Sequence, residues 1–373
     1  MPSSSGTEIP LTVLHVAQPT DAGVAICAAQ FARDQVKRGW NVVVACPPER
    51  DLPGWVRDAG ALHRPWPARR SPGPWTLLEM MSLRKIIRAV DPTILHLHSA
   101  KAGLAGRAAD RGRHRTIFQP HAWSFHAVDG LAARAARAWE RRAAQWSDAI
   151  VCVSEDERRA GERAGVASSW AVIPNGLDLE RYPLVTEDER VTARARLQLG
   201  EGPTVVCIGR LSRQKGQDLL LSAWPRVLES VPAARLLLVG DGPARSKLER
   251  AAPDGVRFTG WVTDTRPYLA ASDVSAAPSR WEAGLSLAVM EAMAAGRSVV
   301  ATEVEGSSSV VAAGAGVVVP GEDPDALATA LVQRLADADL RRHEGAAARS
   351  HLVVHHDLRR TTEAIAELYA AYV

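Results

Sequence analysis

The chain has 373 residues, which is enough for about two domains that each bury a core of their own. Hydrophobic residues make up 46% of it and charged residues 23%, so a disordered, collagen-like or coiled-coil chain is excluded. Basic residues outnumber acidic residues by only 45 to 42, and we therefore expect no nucleic-acid partner.

The sequence lacks the features of a secreted or membrane-spanning protein. Its four cysteines are scattered without a C-x-x-C pair, so neither a disulfide framework nor a zinc site is indicated. The first ten residues lack the basic start and apolar run of a secretory signal, and no apolar run is long enough to cross a bilayer. We therefore expect a cytoplasmic protein.

Short β-branched runs alternate with helical patterns along the whole chain. In the first half, strands are predicted over residues 11–17, 41–45, 94–98, 116–119 and 149–153. The pattern then restarts, with strands predicted over residues 204–208, 235–239, 256–258, 274–277, 298–301 and 316–319. This alternation is typical of βαβ units and predicts an α/β protein with two doubly wound, Rossmann-like domains that face a central cleft.

Turn-forming residues separate the two sets of strands. Ile173-Pro174-Asn175-Gly176 and Tyr182-Pro183 fit a linker, so the domains are predicted over residues 1–183 and 184–356. The helical pattern breaks at His351–His356, and we expect the last helix, about residues 357–373, to cross back to the first domain. Ligands of doubly wound domains bind beyond the carboxyl ends of the strands, so functional residues are expected in the loops that follow strands.

The loop after the strand 204–208 carries two cations at a helix start. Arg210 follows the strand end and Lys215 precedes an apolar-periodic helix, so both converge with the free N–H groups of that helix. Such a loop suits a polyanion. On spacing alone, a solvated basic turn explains it equally well.

Two other loops of the second half offer carboxylates and glycines. Glu282 and Glu291 lie in and after the loop that follows the strand 274–277, where they could accept hydrogen bonds from hydroxyl pairs. A surface ion pair is the alternative for Glu282. Gly240-Asp241-Gly242-Pro243 either lets the backbone approach a flat ligand or forms an ordinary tight turn.

The corresponding loops of the first half are glycine- and histidine-bearing. Gly23 lies in the turn after the first strand. His96 and His98 share one face of a later strand, and His121 follows the next strand. The three histidines could meet at a metal, but no cysteine or acidic pair completes a ligand set, so no metal site is predicted.

Several common enzyme motifs are missing from the sequence. It has no G-x-G-x-x-G after a strand, no G-x-x-x-x-G-K-[ST], no G-x-S-x-G and no H-E-x-x-H. Dinucleotide-dependent oxidoreductases, P-loop kinases, α/β-hydrolases and zincins are therefore disfavoured.

Taken in chain order, the motifs resemble those of the family 4 retaining glycosyltransferases of GT-B fold, also called glycosyl transferases group 1. In the second half, these motifs are Gly209-Arg210 with Lys215-Gly216, Gly240-Asp241-Gly242-Pro243, Val256 to Trp261, Ala271-Ser272-Asp273 and Pro278 to Gly296. In the first half, they are His98 to Gly103, His121-Ala122-Trp123, Val153-Ser154-Glu155 and Ile173 to Asp178. Each motif is weak alone, but the set is specific and covers nearly the whole chain.

The resemblance implies a retaining, hexosyltransferase-type reaction. A sugar would move from a UDP- or GDP-linked donor, bound by the second domain, to a hydroxyl of a glycan, lipid-linked or small-molecule acceptor, bound by the first. Because fixed cations and a helix start can stabilise the departing phosphate, no metal or other cofactor is expected. The alternatives are a nucleotide-sugar epimerase of similar fold and a sugar-nucleotide-binding protein without catalysis.

The resemblance also implies a role for each matching residue. Arg210 and Lys215 would hold the donor pyrophosphate, Glu291 would accept the ribose hydroxyls, and Glu282 and His121 would face the transferred sugar. The catalytic residues implied are Arg210, Lys215, Glu282 and His121. The donor contacts implied are Gly23, Gly209, Arg210, Lys215, Gly240, Gly242, Trp261, Val262, Gly284, Leu285, Ser286 and Glu291, and the acceptor contacts are His98, Lys101, Trp123 and Ser154.

Two positions depart from the family pattern. The family usually places seven residues between its two glutamates, whereas eight lie between Glu282 and Glu291, which puts the position of Glu282 in question. The first loop has Ala22-Gly23 where the family often has two glycines.

One helix pattern bears on the acceptor. Over residues 131–146, a row of arginines lies along one side and Trp139 and Trp146 lie on the other. A basic amphipathic helix of this kind could rest on the inner face of the cell membrane and meet a lipid-linked acceptor, or it could simply bury its tryptophans in the core.

Overall fold

The computed structural model describes residues 10–307 and 314–373. Residues 1–9, where the sequence predicts no secretory signal, lie outside the described part. The chain divides into two compact units, which we call the N-terminal unit (residues up to Ile173, with Thr362–Val373) and the C-terminal unit (Pro174–Thr361). This division lies before the predicted boundary near residue 183.

The N-terminal unit is built on a seven-stranded parallel sheet. Its strands are β1 (Thr12–Ala17), β2 (Asn41–Cys46), β3 (Leu62–Pro65), β4 (Ile94–His98), β5 (Arg115–Gln119), β6 (Ala149–Cys152) and β7 (Trp170–Val172), in the order β3-β2-β1-β4-β5-β6-β7. Its connecting helices are α1 (Ala22–Lys37), α2 (Leu52–Asp58), α3 (Thr76–Val90), α4 (Ser99–Asp110), α5 (Gly130–Ala144) and α6 (Glu155–Arg163). The four cysteines of the protein are free and buried, as expected.

The C-terminal unit repeats this plan with six parallel strands. They are β8 (Thr204–Ile208), β9 (Arg235–Val239), β10 (Val256–Gly260), β11 (Val274–Ala277), β12 (Ser298–Thr302) and β13 (Gly316–Val319), in the order β10-β9-β8-β11-β12-β13. Its helices are α7 (Glu187–Arg196), α8 (Gln217–Ser230), α9 (Arg245–Ala251), α10 (Arg266–Ala271), α11 (Leu287–Ala294), α12 (Pro324–Ala336) and α13 (Ala338–His355). The α/β class and the doubly wound domains are therefore confirmed.

The strand order locates a ligand site in each unit. In the first sheet the order reverses between β1 and β4, and in the second between β8 and β11. At such a switch point the two following loops turn to opposite faces of the sheet and leave a crevice at the carboxyl ends of the strands. The functional residues of each unit should therefore lie beyond the ends of these strand pairs.

Two edge strands escaped prediction from the sequence. The four residues of β3 carry His63 and Arg64 and are mostly exposed, and β7 has only three half-buried residues. An edge strand needs apolar residues on fewer sides than a central strand, so its sequence pattern is weaker.

The last helix, α14 (Leu358–Ala370), lies across the division between the units. Its buried Ile365 and Tyr369 pack with Val13 and Ile94 in the core of the N-terminal unit. The predicted break at His351–His356 is wrong, because α13 continues to His355 and only His356 leaves the helical conformation. Leu352 is fully buried and packs this last turn against the core. The packing outweighs the weak helical pattern of residues 351–356.

Among the described residues, no helix is both long and apolar enough to span a bilayer.

Candidate active site

The loop between β8 and α8 brings Lys215 to the switch point of the C-terminal unit. A short 3₁₀ turn over Arg213–Lys215 follows the strand, and Gly216, with φ of 63°, begins α8. Only glycine fits there, because a Cβ atom would lie 1.8 Å from the carbonyl oxygen of Pro278. The close approach packs the Lys215 loop directly against the loop that follows β11.

Lys215 lines a small cavity at the carboxyl ends of β8 and β11. Ser279 and Ser286, from the loop after β11, line the same cavity. The Lys215 ammonium forms an ion pair with the Glu282 carboxylate, and the Ser279 hydroxyl donates a hydrogen bond to Glu282 Oε1 at 2.7 Å. Despite the extra loop residue, Glu282 therefore lies beside the cavity.

Arg210 is the second cation of this loop. Gln217 Nε2 donates to the Arg210 carbonyl at 3.1 Å and so ties the loop to the first turn of α8. The Arg210 guanidinium forms no ion pair with any residue that the structure describes, whereas Lys215 is paired with Glu282. A half-buried arginine without a carboxylate partner is suited to an incoming anion.

The loop after β11 supplies neutral donors for the same anion. Within residues 10–307 and 314–373, the N–H groups of Gly284, Leu285 and Ser286 donate no hydrogen bond. Ser286 then caps α11, where its side chain accepts from Val289 N at 3.4 Å. Of these three residues, Ser286 lines the cavity, so the positive end of the α11 dipole adjoins it, an arrangement that binds phosphate readily.

Glu291 lies in the second turn of α11 and is almost fully buried. Its Oε1 accepts from the Tyr182 hydroxyl at 3.0 Å and its Oε2 from the Thr265 hydroxyl at 2.8 Å. Burial raises the pKa of Glu291, and these two hydrogen bonds oppose that rise. Sequence reasoning missed Tyr182 and Thr265, since nothing in the chain links them to a glutamate so far away.

The two glycines of the β9 loop pack closely against the Arg210 loop. A Cβ atom on Gly240 would lie 2.1 Å from the Gly209 carbonyl oxygen, and one on Gly242 would lie 2.3 Å from the Leu211 carbonyl oxygen. The absence of a side chain at both positions is therefore needed for this packing. Of the other predicted donor contacts, Trp261 is 56% exposed, and Val262 packs against the core.

The switch point of the N-terminal unit holds a buried row of histidines. His15 on β1 pairs in register with His96 on β4, and His98 ends β4. His15 Nδ1 lies 2.9 Å from His98 Nε2, and His98 Nδ1 lies 3.3 Å from His121 Nε2. Burial lowers the pKa of His15 and of His121 to about 4, so the row is neutral at pH 7.

The His121 turn is conformationally strained. His121 and Ala122 have φ of 51° and 98°, in the left-handed region that side chains rarely adopt. The buried Glu157 carboxylate holds this turn, since its Oε1 accepts from Ala122 N at 2.8 Å and its Oε2 from Val153 N at 2.7 Å. Sequence reasoning missed Glu157, although strain of this kind is typical of functional residues.

One group of described residues has the spacing of metal ligands. Ring nitrogens of His15, His96 and His98 all lie within 4.8 Å of one another. Two of these nitrogens already share a hydrogen bond, and His96 Nδ1 lies 2.5 Å from the Tyr369 hydroxyl. His96 Nε2 has no hydrogen-bond partner among the described residues. The sequence had identified His96 and His98 but not His15.

The predicted acceptor contacts lie in structural positions. Trp123 is buried in the core, and its Nε1 donates to the Glu157 carbonyl at 2.7 Å. His98 is fully buried within the histidine row. Lys101 Nζ is buried 2.5 Å from Glu79 Oε2.

The remaining predicted positions of the N-terminal unit lie at helix starts. Ser154 caps α6, accepting from Glu157 N at 3.0 Å. Gly23 is the second residue of α1 and is exposed. Of the predicted positions in this unit, His98, Lys101 and Trp123 are therefore buried, whereas Ser154 is half-buried and Gly23 is exposed.

The predicted membrane helix is α5, and its aromatic side is partly buried. The rings of Trp139 and Trp146 pack 6.0 Å apart and are half-buried. Of its arginines, Arg141 donates to the Ala164 carbonyl and Arg137 lies 5.3 Å from the ring centre of Phe125. Much of this helix therefore contacts its own unit.

Comparisons with known proteins agree with both units. Residues 202–337 match the family model of Glycosyl transferases group 1, and residues 22–181 match that of Glycosyltransferase Family 4. A GDP-mannose-dependent alpha-(1-6)-phosphatidylinositol monomannoside mannosyltransferase of Mycobacterium tuberculosis is 35% identical over 295 residues, which cover 74% of this chain and 75% of the relative. A GDP-mannose-dependent monoacylated alpha-(1-6)-phosphatidylinositol monomannoside mannosyltransferase of Corynebacterium glutamicum is 31% identical and covers 71% and 72%.

Solved structures show the same fold. HepE of Anabaena, crystallised with UDP and glucose, superposes with a TM-score of 0.83 at 20% identity over 96% of this chain and 99% of HepE. WaaG, a glycosyltransferase involved in lipopolysaccharide biosynthesis, gives a TM-score of 0.76 at 17% identity over 96% and 99%.

The fold and these relatives define a nucleotide-sugar-dependent glycosyltransferase of GT-B fold. The chain belongs to glycosyltransferase family 4, whose second domain is described as glycosyl transferases group 1.

Proposed function

We propose that the enzyme transfers a hexose with retention of configuration from a nucleoside diphosphate sugar to a hydroxyl of a lipid-linked or other glycan acceptor, without a metal. The observation that carries this proposal is the cavity at β8 and β11, which Lys215 and Ser286 line, together with Arg210 of the same loop as Lys215, whose guanidinium forms no ion pair with a described residue. The donor would bind to the C-terminal unit through its pyrophosphate, and the acceptor would bind to the N-terminal unit.

The chemistry explains why these groups are needed. When the glycosidic bond breaks, negative charge grows on the leaving phosphate and the sugar carbon acquires oxocarbenium character. Arg210, Lys215 and the α11 start would stabilise that charge, which is the task a divalent metal performs elsewhere. Retention would follow if the acceptor hydroxyl attacks from the side of the leaving group and passes its proton to a departing phosphate oxygen.

The ion pair of Lys215 suits this scheme. An ammonium has three N–H donors, so Lys215 can keep Glu282 and still bind a phosphate oxygen. The pair would then hold Glu282 next to the sugar that is attached to this phosphate. Glu291, fixed by Tyr182 and Thr265, keeps further lone pairs that could accept the ribose hydroxyls.

The relatives favour a particular donor for the first test. The mycobacterial and corynebacterial mannosyltransferases at 35% and 31% identity are named GDP-mannose-dependent, and their named acceptors are phosphatidylinositol monomannosides. We therefore propose GDP-mannose ahead of a UDP-sugar, and an acceptor of the phosphoinositide glycolipid class.

A binding measurement separates the donor classes. A ligand that binds only the folded protein raises its melting temperature. GDP should raise it more than UDP or ADP at equal concentration, and should do so equally in EDTA. A larger shift with UDP would overturn the choice of GDP, and a shift that needs a divalent cation would overturn the metal-independent scheme.

Product analysis separates the reaction classes. With GDP-mannose and a phosphatidylinositol monomannoside, GDP release should require the acceptor, and the new linkage should have the α configuration of the donor. Altered donor formed without acceptor would indicate an epimerase. Tight donor binding without any product from a panel of acceptors would indicate a binding protein.

We further propose that the enzyme rests on an anionic membrane, at the inner face of the cell membrane, through α3 rather than α5. Trp75, Leu77, Leu78 and Met81 at the start of α3 are 50, 63, 58 and 54% exposed. Arg84, Lys85 and Arg88 continue the same exposed side, and none of them forms an ion pair with a described residue. The exposed apolar side chains could insert among the acyl chains of a membrane, and the basic side chains beside them could contact its anionic headgroups.

Vesicle binding tests this surface against α5. Replacing Leu77, Leu78 and Met81 together by Ser should lower co-sedimentation with phosphatidylglycerol vesicles by about tenfold or more, since three large side chains lose apolar contact. The matched control is Leu131→Ser on α5, where Leu131 is 80% exposed. Loss of binding in the control, or unchanged binding in the triple variant, would overturn the assignment to α3.

A further inference from the structure

A chain of hydrogen bonds runs from α1 to the loop after β5 in the N-terminal unit. Gln35 Oε1 on α1 lies 2.8 Å from His15 Nε2. His15 Nδ1 is followed by His98 Nε2 at 2.9 Å, and His98 Nδ1 by His121 Nε2 at 3.3 Å. Gln35, His15 and His98 are all buried, whereas His121 is half-buried.

The Gln35 amide, at the start of this chain, determines which nitrogen donates in each of the hydrogen bonds that follow. An amide oxygen can only accept, so His15 must carry its proton on Nε2. Burial lowers the pKa of His15, His98 and His121, so each ring is neutral and has a single N–H group. His15 Nδ1 is then an acceptor, and His98 must donate from Nε2.

The same rule carries the polarity to the end of the row. His98 Nδ1 is left as an acceptor, so His121 donates to it from Nε2. His121 Nδ1 therefore keeps its lone pair. His121 Nδ1 is therefore a hydrogen-bond acceptor, although three hydrogen bonds separate His121 from the Gln35 amide that sets this direction.

We propose that Gln35 and His15 act through His98 as positioning residues, which hold His121 in the tautomer whose Nδ1 accepts a hydrogen bond from a hydroxyl of the bound substrate. The inference rests on the proposed function, and on the role that the family resemblance implies for His121, in which it faces the transferred sugar. It adds a role for Gln35 and His15, which lie away from the strained turn that carries His121.

The alternative of a purely structural polar cluster makes a different prediction. A structural cluster needs every polar atom satisfied, in whichever direction the protons point. A positioning relay needs one direction only, because the opposite polarity would place a proton on His121 Nδ1. Substitutions that keep the volume of Gln35 but change its donor and acceptor character separate the two.

Nuclear magnetic resonance reads the tautomer directly. A long-range ¹H–¹⁵N correlation spectrum of the full chain, labelled with ¹⁵N-histidine, should show His121 protonated on Nε2. Gln35→Met, which removes the acceptor of the His15 Nε2 proton, should reduce the Nε2-protonated fraction of His121. Protonation on Nδ1 in the unmodified protein, or an unchanged tautomer in Gln35→Met, would overturn the proposal.

Kinetics gives the matched control. Gln35→Met should lower kcat by about tenfold or more, with the donor KM within about twofold. Gln119→Met is the control, because Gln119 is as deeply buried and lies beside His96, outside the relay. An equal loss of kcat in Gln119→Met would show that the loss in Gln35→Met is a nonspecific structural effect, and would overturn the relay.

The two levels of inference fail differently. If His121→Ala retains full activity while the tautomer still depends on Gln35, the proposed role of His121 is wrong and the relay is real. If His121→Ala is inactive, but the tautomer of His121 is the same in Gln35→Met as in the unmodified protein, the proposed function stands and the relay is wrong.

Discussion

The two units share one fold plan but equip their switch points with opposite chemistry. In the C-terminal unit, the loops that follow β8 and β11 carry an ion pair and an arginine without an ion-pair partner among the described residues. In the N-terminal unit, the corresponding switch point at β1 and β4 holds neutral histidines that are hydrogen-bonded to one another. The shared fold therefore fixes where each switch point lies, and the residues around it decide its chemistry.

This difference also affects how each unit responds to substitution. If the proposed function is right, removing Arg210 or Lys215 from the C-terminal unit should affect the reaction far more than the fold, because these side chains are only half-buried. Changes to the histidine row should affect both, because its members are buried in the core.

The largest effect is expected for Arg210→Ala and Lys215→Ala. If each side chain stabilises the departing phosphate, each variant should lose roughly two or more orders of magnitude in kcat. Arg213→Ala is the control, since Arg213 is an exposed cation of the same loop. Steady-state kinetics with saturating donor measures the loss, and near-normal turnover in both variants would reject the phosphate role.

A pH dependence of stability should distinguish the N-terminal unit. The pKa of His15 and of His121 is about 4 in the folded protein and about 6.5 when unfolded, so the unfolded chain binds more protons between these values. The free energy of unfolding should therefore fall as the pH drops below 6.5, with each histidine contributing up to roughly 1.4 kcal/mol per pH unit.

Urea denaturation between pH 7.5 and 5.5 measures this slope. His121→Asn should flatten it by one histidine's share, because asparagine does not titrate and tolerates the left-handed backbone. Glu291 in the C-terminal unit acts in the opposite direction, since burial raises its pKa and acidification relieves that cost. An unchanged slope in His121→Asn would mean that His121 is not buried as a neutral group.

A smaller effect is expected for Tyr182→Phe. Loss of the hydroxyl removes one of the two side-chain donors to the buried Glu291 carboxylate, which should lower the free energy of unfolding by about 1–3 kcal/mol. The pKa of Glu291 should rise further, and donor binding at pH 7 should weaken. Tyr268→Phe is the control in the same unit; if it matches Tyr182→Phe in stability and donor Kd, the support of Glu291 is not specific.

Much of the second half could be predicted from the sequence. The four strands β8, β9, β11 and β13 have the predicted bounds, and the loops that follow them carry their motifs in contiguous residues. The loop Gly209–Gly216, for instance, contains Arg210, Lys215 and its turn glycine within eight residues, so local order alone points to this loop as a candidate anion site. What remained hidden was the partner of each group, for instance Tyr182 for Glu291.

The N-terminal unit was harder to predict, because its site is assembled from distant segments. His15 looked like an ordinary strand residue until parallel pairing placed it beside His96. Trp123 and Lys101 belong to contiguous motifs, yet their side chains turn inward to Glu157 and Glu79. Sequence order gives the motif but not the direction of the side chain.

The amino-acid sequence by itself determined the α/β class, the central strands and the contiguous motifs in the loops of this glycosyltransferase, because hydrophobic periodicity and turn residues act over short distances. Only the tertiary structure decided that Glu282 pairs with Lys215, that Glu157 holds the His121 turn, and that a glutamine on α1 reaches that turn through two histidines. These contacts join residues that are far apart in the chain, and no local pattern encodes which distant group a side chain will meet.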